Sequence, residues 1–381
     1  MGSFAVKSVL FLLIFGLIAS NVVDGSRPMP KKNKNGKENP EHSSENSTYK
    51  DFVQDGTVIG KEDHEHGSKN STYKDYDQDN TEVRAVGPQM VFNNPNQPCY
   101  TQFFVGVVGA PPIGLRAGQV NLRYICQTYH HQTYYATMFD EQRGIAVFSA
   151  YTLTQANVNF HPNRRAWWRR THANDVAPQG SRQIYLHQPY DRGHLVPGAT
   201  YSNTVDRFRS TFVYTNAVPQ RPSFNRGYWA RFEGRIRVYA QQCTQGPQPG
   251  TLYLITGTAF GHIQNNPPGY NPQVHINNLG PAGNFPAINI PNSMWTAGCC
   301  VHPNGVESFA VIGNNLQKVP NQPEVTLTQQ ITVARLQLIL AVDEDNLGQH
   351  INGPNVDLFP GDADCSKVNN NLPALPPWNG R

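Results

Sequence analysis

The sequence predicts an α+β fold in which a central antiparallel sheet, linked by disulfides, is flanked by helices. Three observations lead there. Short apolar runs of strand length, bounded by Gly, Pro or Asn, recur along residues 87–381. Clear helical patterns are few. Six cysteines stand in a chain whose first residues read as an export signal.

Four runs read as buried strands: Phe103-Phe-Val-Gly-Val-Val108, Ile145-Ala-Val-Phe148, Leu252-Tyr-Leu-Ile255 and Phe309-Ala-Val-Ile312. Helical spacing is clearest from Phe224 to Gln242, where Phe224, Tyr228, Phe232, Ile236 and Tyr239 form one stripe behind an N-cap at Ser223. A less regular helical pattern runs from Leu327 to Ala341. Six cysteines allow about 15 pairings. Without a CxxC pair or a Cys/His ligand ladder they point to disulfides and away from zinc. Adjacent Cys299 and Cys300 are expected to bond to two different partners.

Residues 1–25 read as a signal peptide, with Lys7 ahead of a short apolar core from Val9 to Ala19. That core falls short of the roughly 20 residues a bilayer span needs, which disfavours an uncleaved anchor. No later stretch is long and apolar enough, so the protein is expected to be secreted without a membrane span. Residues 26–86 read as a disordered polar spacer. Within it the segment starting Asn46-Ser-Thr-Tyr-Lys-Asp51 recurs from Asn70, and both copies open with a glycosylation sequon. His64 and His66 are read as part of a solvated linker. The globular domain occupies residues 87–381.

The net charge of +4 is unevenly placed: residues 41–84 hold 11 acidic against 5 basic side chains, and residues from 85 onward hold 20 basic against 14 acidic. Of those 20 cations, 18 are arginine, the planar ligand that suits phosphate. Taken alone, this charge fits a polyanionic partner and an ordinary solvated surface equally well.

Three segments carry chemistry. Tyr190-Asp-Arg-Gly-His-Leu-Val-Pro197 sets His194, a residue type that exchanges protons near neutral pH, beside an acid and an arginine. Tyr214-Thr-Asn-Ala-Val-Pro-Gln220 supplies Asn216 and Gln220. In the predicted helix, Asn225, Trp229 and Glu233 drift only about 80° around the axis, with a rise of roughly 12 Å from Asn225 to Glu233. Glu233 would lean back toward Asn225, close enough for a water-mediated contact with a magnesium ion held there.

In order and spacing these 43 residues, Asp191 to Glu233, resemble the DNA/RNA non-specific endonuclease family. The likeness extends loosely over residues 99–365. Ile255-Thr-Gly-Thr-Ala259 and Ile290-Pro-Asn-Ser-Met-Trp-Thr-Ala-Gly-Cys-Cys300 resemble its cysteine-bearing animal branch, the endonuclease domain-containing 1 proteins. The resemblance implies a ββα-metal fold and a magnesium cofactor that manganese can replace. It further implies DNA and RNA as substrates, cut with little sequence preference. It casts His194 as general base, Asn225 as the direct metal ligand, Glu233 as the holder of a metal-bound water and Asn216 as a support beside the histidine. Arg165 is cast as the phosphate contact, with Arg164 as its alternative. Water as the attacking group lets both nucleic acids be cut.

The rival readings are a catalytically inactive nucleic-acid-binding protein on the same fold and a structural matrix protein. Trp229 is expected in the core. Trp167 and Trp168 are left between core packing and stacking on bases, and the arginines from 207 to 237 are divided between a nucleic-acid groove and solvent.

Overall fold

The computed structural model describes residues 90–161, 166–171, 176–265, 268–280, 287–318, 327–369 and 371–374. The expected leader, the spacer with its sequons, and Arg164 and Arg165 lie outside these residues.

An eight-stranded antiparallel sheet organises the chain. Its strands are β1 (Met90–Phe92), β2 (Leu122–Tyr129), β3 (Gln132–Asp140), β4 (Ile145–Leu153), β7 (Thr251–Ala259), β12 (Ser293–His302), β13 (Gly305–Asn314) and β14 (Thr328–Ile331), neighbours in that order. Three two-stranded ribbons accompany it: β5 (Asp191–His194) with β6 (Ala217–Gln220), β8 (His262–Asn265) with β9 (Pro268–Asn271), and β10 (Asn278–Leu279) with β11 (Ile288–Asn289). The described helices are α1 (Pro98–Thr101), α2 (Arg182–Tyr185), α3 (Val205–Ser210), α4 (Ala230–Thr244), α5 (Val333–Ala341) and α6 (Asp364–Lys367).

Successive residues of a strand point to opposite faces, and here both faces are covered. Ile125, Tyr135 and Phe309 join a core shared with β6 and α4, while Cys126, Ala136 and Ala310 join a second core shared with α1, α5 and α6. Burial on both sides is why the strands read as continuous apolar runs and not as alternating ones. The same alternation settles the adjacent cysteines. From β12, Cys300 bonds to Cys243 of α4 on one face and Cys299 bonds to Cys365 of α6 on the other. Cys99–Cys126 ties α1 to β2.

Three of the four expected strands lie in β4, β7 and β13. The fourth, residues 103–108, is a turn. Phe103, Phe104 and Val105 are buried, but Val107 and Val108 are exposed. The reversal is tight enough that a Cβ on Gly109, at φ +65°, would fall 1.8 Å from the Thr101 carbonyl oxygen, a place only glycine fits. The expected helix from Leu327 to Ala341 begins as a strand. Thr328–Ile331 pairs with β13 at the sheet edge, and Thr332 then caps α5 by accepting a 3.0 Å hydrogen bond from the Arg335 amide.

The stripe expected from Phe224 is also shifted. Residues Phe224–Trp229 form a π-turn before α4. The backbone kinks inside it at Gly227, φ −108° and ψ −111°, and across the kink Phe224 stacks on Trp229 with ring centroids 5.3 Å apart. Trp229 is buried, and Tyr228 is turned out. Ser223 does not cap the turn. Its hydroxyl accepts from the Lys318 amide at 2.7 Å.

Substituting Trp229 with alanine should therefore cost about 3–5 kcal/mol in urea unfolding, and Tyr228→Ala within about 0.5 kcal/mol. The reverse ranking would restore the regular helix.

Candidate active site

The ribbon and the helix that follows it form a strand–strand–helix unit. Asp191 pairs with Gln220 and His194 with Ala217, and Arg221–Ser223 lead from β6 into the π-turn. Gly193 is required by close approach: a Cβ there would lie 2.1 Å from the Gln220 side-chain Cδ.

His194 ends β5 and is buried. Its ring lies 4.6 Å from that of Trp168 and 4.6 Å from that of Phe212, centroid to centroid. Phe212 is buried and Trp168 half-buried. Trp168 also carries the Arg192 guanidinium over its face, 5.5 Å from the centroid.

Asn216 closes a short 3-10 turn, Tyr214–Asn216, and holds the backbone just after His194. Its amide donates to the carbonyls of Thr211 at 3.0 Å and Val196 at 3.2 Å, and its Oδ1 accepts from the Val196 N–H at 3.0 Å. The Asn216 carbonyl accepts from the Leu195 N–H. With both amide hydrogens used, Asn216 is suited to positioning the histidine and not to donating to a substrate.

Asn225 sits in the π-turn, largely buried. Its Nδ2 donates to Asp191 Oδ2 at 3.0 Å, and Arg226 Nε donates to the same oxygen at 2.8 Å. The carboxylate thereby fixes which way the Asn225 amide faces and leaves Oδ1 as the atom to offer. A neutral amide oxygen is a ligand that a hard divalent cation accepts. Sequence reasoning quoted Asp191 within the motif without giving it a role. Its place three residues before His194 in one strand was the available signal, but its partner across 34 residues was not.

Glu233 is half-buried on α4. Burial first, and next the negative charge of Glu233, hold the Tyr151 phenol above its usual range, so this carboxylate acts electrostatically on β4. The regular-helix geometry expected between Asn225 and Glu233 does not apply, because the π-turn and the non-helical Gly227 intervene. Arg165 and Arg164 are outside the described residues. Trp229 is core, as expected, and Trp167 is exposed. Several arginines are already engaged: Arg226 with Asp191, Arg235 with the Leu372 and Pro373 carbonyls, and Arg221 over the Tyr190 ring at 4.2 Å.

The profile of the DNA/RNA non-specific endonuclease family matches residues 118–339. A nuclease of Nostoc sp. is 30% identical over 132 residues, covering 32% of this chain and 43% of that protein. Nuclease 1, mitochondrial, of Schizosaccharomyces pombe is 25% identical over 164 residues, covering 42% and 48%. The endonuclease domain-containing 1 protein of Mus musculus is 25% identical over 215 residues, covering 51% and 38%. The chain thus spans under half the length of these relatives. A chain in the crystal structure of the EndoG/EndoGI complex aligns at a TM-score of 0.42 with 16% identity, covering 54% of this chain and 80% of that one.

Proposed function

This chain belongs to the DNA/RNA non-specific endonuclease family, and from that premise we propose that it is a secreted, metal-dependent endonuclease hydrolysing DNA and RNA with little sequence preference. The observation that carries the reading is the single platform holding a histidine and a neutral amide oxygen. Asp191, three residues before His194 in β5, anchors Asn225 of the π-turn at 3.0 Å.

In the proposed reaction His194 takes the proton of a water whose oxygen attacks phosphorus. The P–O3′ bond breaks, its electron pair stays on O3′, and that oxygen is protonated from solvent. The products are a 5′-phosphate and a 3′-hydroxyl. Asn216 holds the His194 backbone, and Asp191 holds the Asn225 amide. Asn225 would be the protein ligand of a divalent cation, magnesium with manganese as substitute, which when bound supplies Lewis-acid stabilisation of phosphate charge. Glu233 is assigned to orienting water on the α4 side. Arg165 is assigned to phosphate, on the family resemblance alone. Contacts directed to phosphate would give little sequence selectivity. The three disulfides support an oxidising destination, and among the described residues no helix is long and apolar enough to cross a membrane. Digestion of plasmid DNA and of RNA, with end-group analysis of the products, tests the reading.

A further inference from the structure

The short segment around Trp168 carries two exposed side chains that the chemistry above does not use. It runs beside the stretch that supports His194: the Arg169 N–H donates to the Phe212 carbonyl at 3.0 Å, and the Tyr214 N–H donates to the Arg169 carbonyl at 2.9 Å. Phe212 and Trp168 are the two rings packed on His194. Trp167, one residue earlier, is turned outward. It is 78% exposed and belongs to neither apolar core. A single exposed apolar residue needs no explanation by itself, but the setting of this one is unusual. Arg170 is exposed and has no ion-pair partner among the described residues. Along an extended chain it lies no more than about 11 Å from Trp167. Arg169 spreads its guanidinium over the Tyr129 ring at 4.4 Å and donates to the Arg209 carbonyl at 3.0 Å. The Arg209 side chain is itself exposed and without an acidic partner among the described residues. Asp206, on the same helix as Arg209, pairs with His130 at 3.3 Å. A free ring and uncompensated positive charge therefore stand next to the candidate general base.

We propose that Trp167 stacks on a nucleobase of the substrate strand beside the phosphodiester that His194 addresses, and that Arg170 takes a neighbouring phosphate. Every base offers a π face, so an indole grips a strand without selecting its sequence. A guanidinium is a planar phosphate ligand that stays charged at any working pH. The ring alone would suit a protein partner equally well. The unpaired arginines nearby and the adjoining His194 favour a nucleic-acid strand. The proposal rests on the nuclease reading and adds to it a stacking subsite on the Trp168 side of the histidine.

Binding can be read without cleavage, by fluorescence anisotropy in EDTA with a labelled single-stranded dodecamer and with a strand of the same length built from abasic sites. Trp167→Ala is expected to weaken binding of the normal strand roughly five- to a hundredfold and to leave the abasic strand unaffected. Trp167→Phe, which keeps a smaller ring, should retain part of the difference. Arg170→Gln is expected to weaken both strands and to lower the salt slope by about one. All three variants should melt like the wild type, since both side chains are exposed. If Trp167→Ala binds the normal strand as the wild type does, the ring serves another partner and the stacking subsite is wrong. An equal loss on both strands would make Trp167 a backbone contact and overturn the stacking. An unchanged affinity and salt slope in Arg170→Gln would remove the phosphate contact. Each of these failures leaves wild-type cleavage in place, whereas a wild type that neither binds nor cuts would overturn the nuclease reading and this one together.

Discussion

Replacing His194 with alanine should lower phosphodiester cleavage by roughly a hundred- to ten-thousand-fold, the usual worth of a positioned general base. The argument is geometric. The imidazole is packed between Trp168 and Phe212, and the backbone that follows it is clamped by Asn216. It therefore presents its ring in one orientation. Removing the ring leaves a space bounded by two aromatic side chains. Added imidazole should enter it and restore part of the activity, whereas benzene, which also enters apolar cavities, should not. Affinity for an oligonucleotide in EDTA should persist in the variant. Full activity in the alanine variant, or equal rescue by benzene, would reduce His194 to a packing residue.

The second large effect is expected at the pair Asn225 and Asp191. Asn225→Ala removes the only oxygen assigned to the metal and should cost more than the roughly 10–100-fold typical of an outer partner. No concentration of divalent ion should restore it. Asp191→Ala leaves that oxygen in place but frees the amide to rotate, so its cost should be about 10–100-fold and should shrink as the ion concentration rises. Because Asp191 also binds Arg226, Arg226→Ala is the control and should change activity little. Initial rates across a magnesium titration separate these outcomes. An Asp191→Ala curve that overlays the wild type would show that the amide needs no anchor.

Which residues gather at the candidate site was more legible in the sequence than the local geometry. His194, Asn216 and Asn225 stand in short contiguous motifs, and a pair of hairpin strands followed by a helix brings such motifs together without fine detail. Asp191 was passed over because its role depends on a partner in another element. The kinked turn before α4 was not legible because the break at Gly227, φ −108° and ψ −111°, leaves the apolar spacing of the sequence unchanged while turning the residues around it. Tyr228, expected on the buried stripe, is turned out for that reason, while Trp229 is buried as expected. In Phe103–Val108 the apolar run was real, but its glycine at 106, φ +107°, admits a reversal that a period-2 reading cannot see. In Leu327–Ala341 the β-branched first half found an open sheet edge beside β13, and tertiary pairing outweighed helical spacing. That the adjacent cysteines take different partners was legible in the sequence, but which partners they take required the opposite faces of β12.

The most direct test of the central claim is cleavage itself. The protein is incubated with supercoiled plasmid and with RNA, in magnesium and in EDTA. The account predicts loss of both substrates in magnesium and of neither in EDTA, with 5′-phosphate ends on the fragments. Intact plasmid and RNA across a range of pH and divalent ions, from a protein that still retards DNA in a gel, would contradict it and leave a nucleic-acid-binding protein on a nuclease fold.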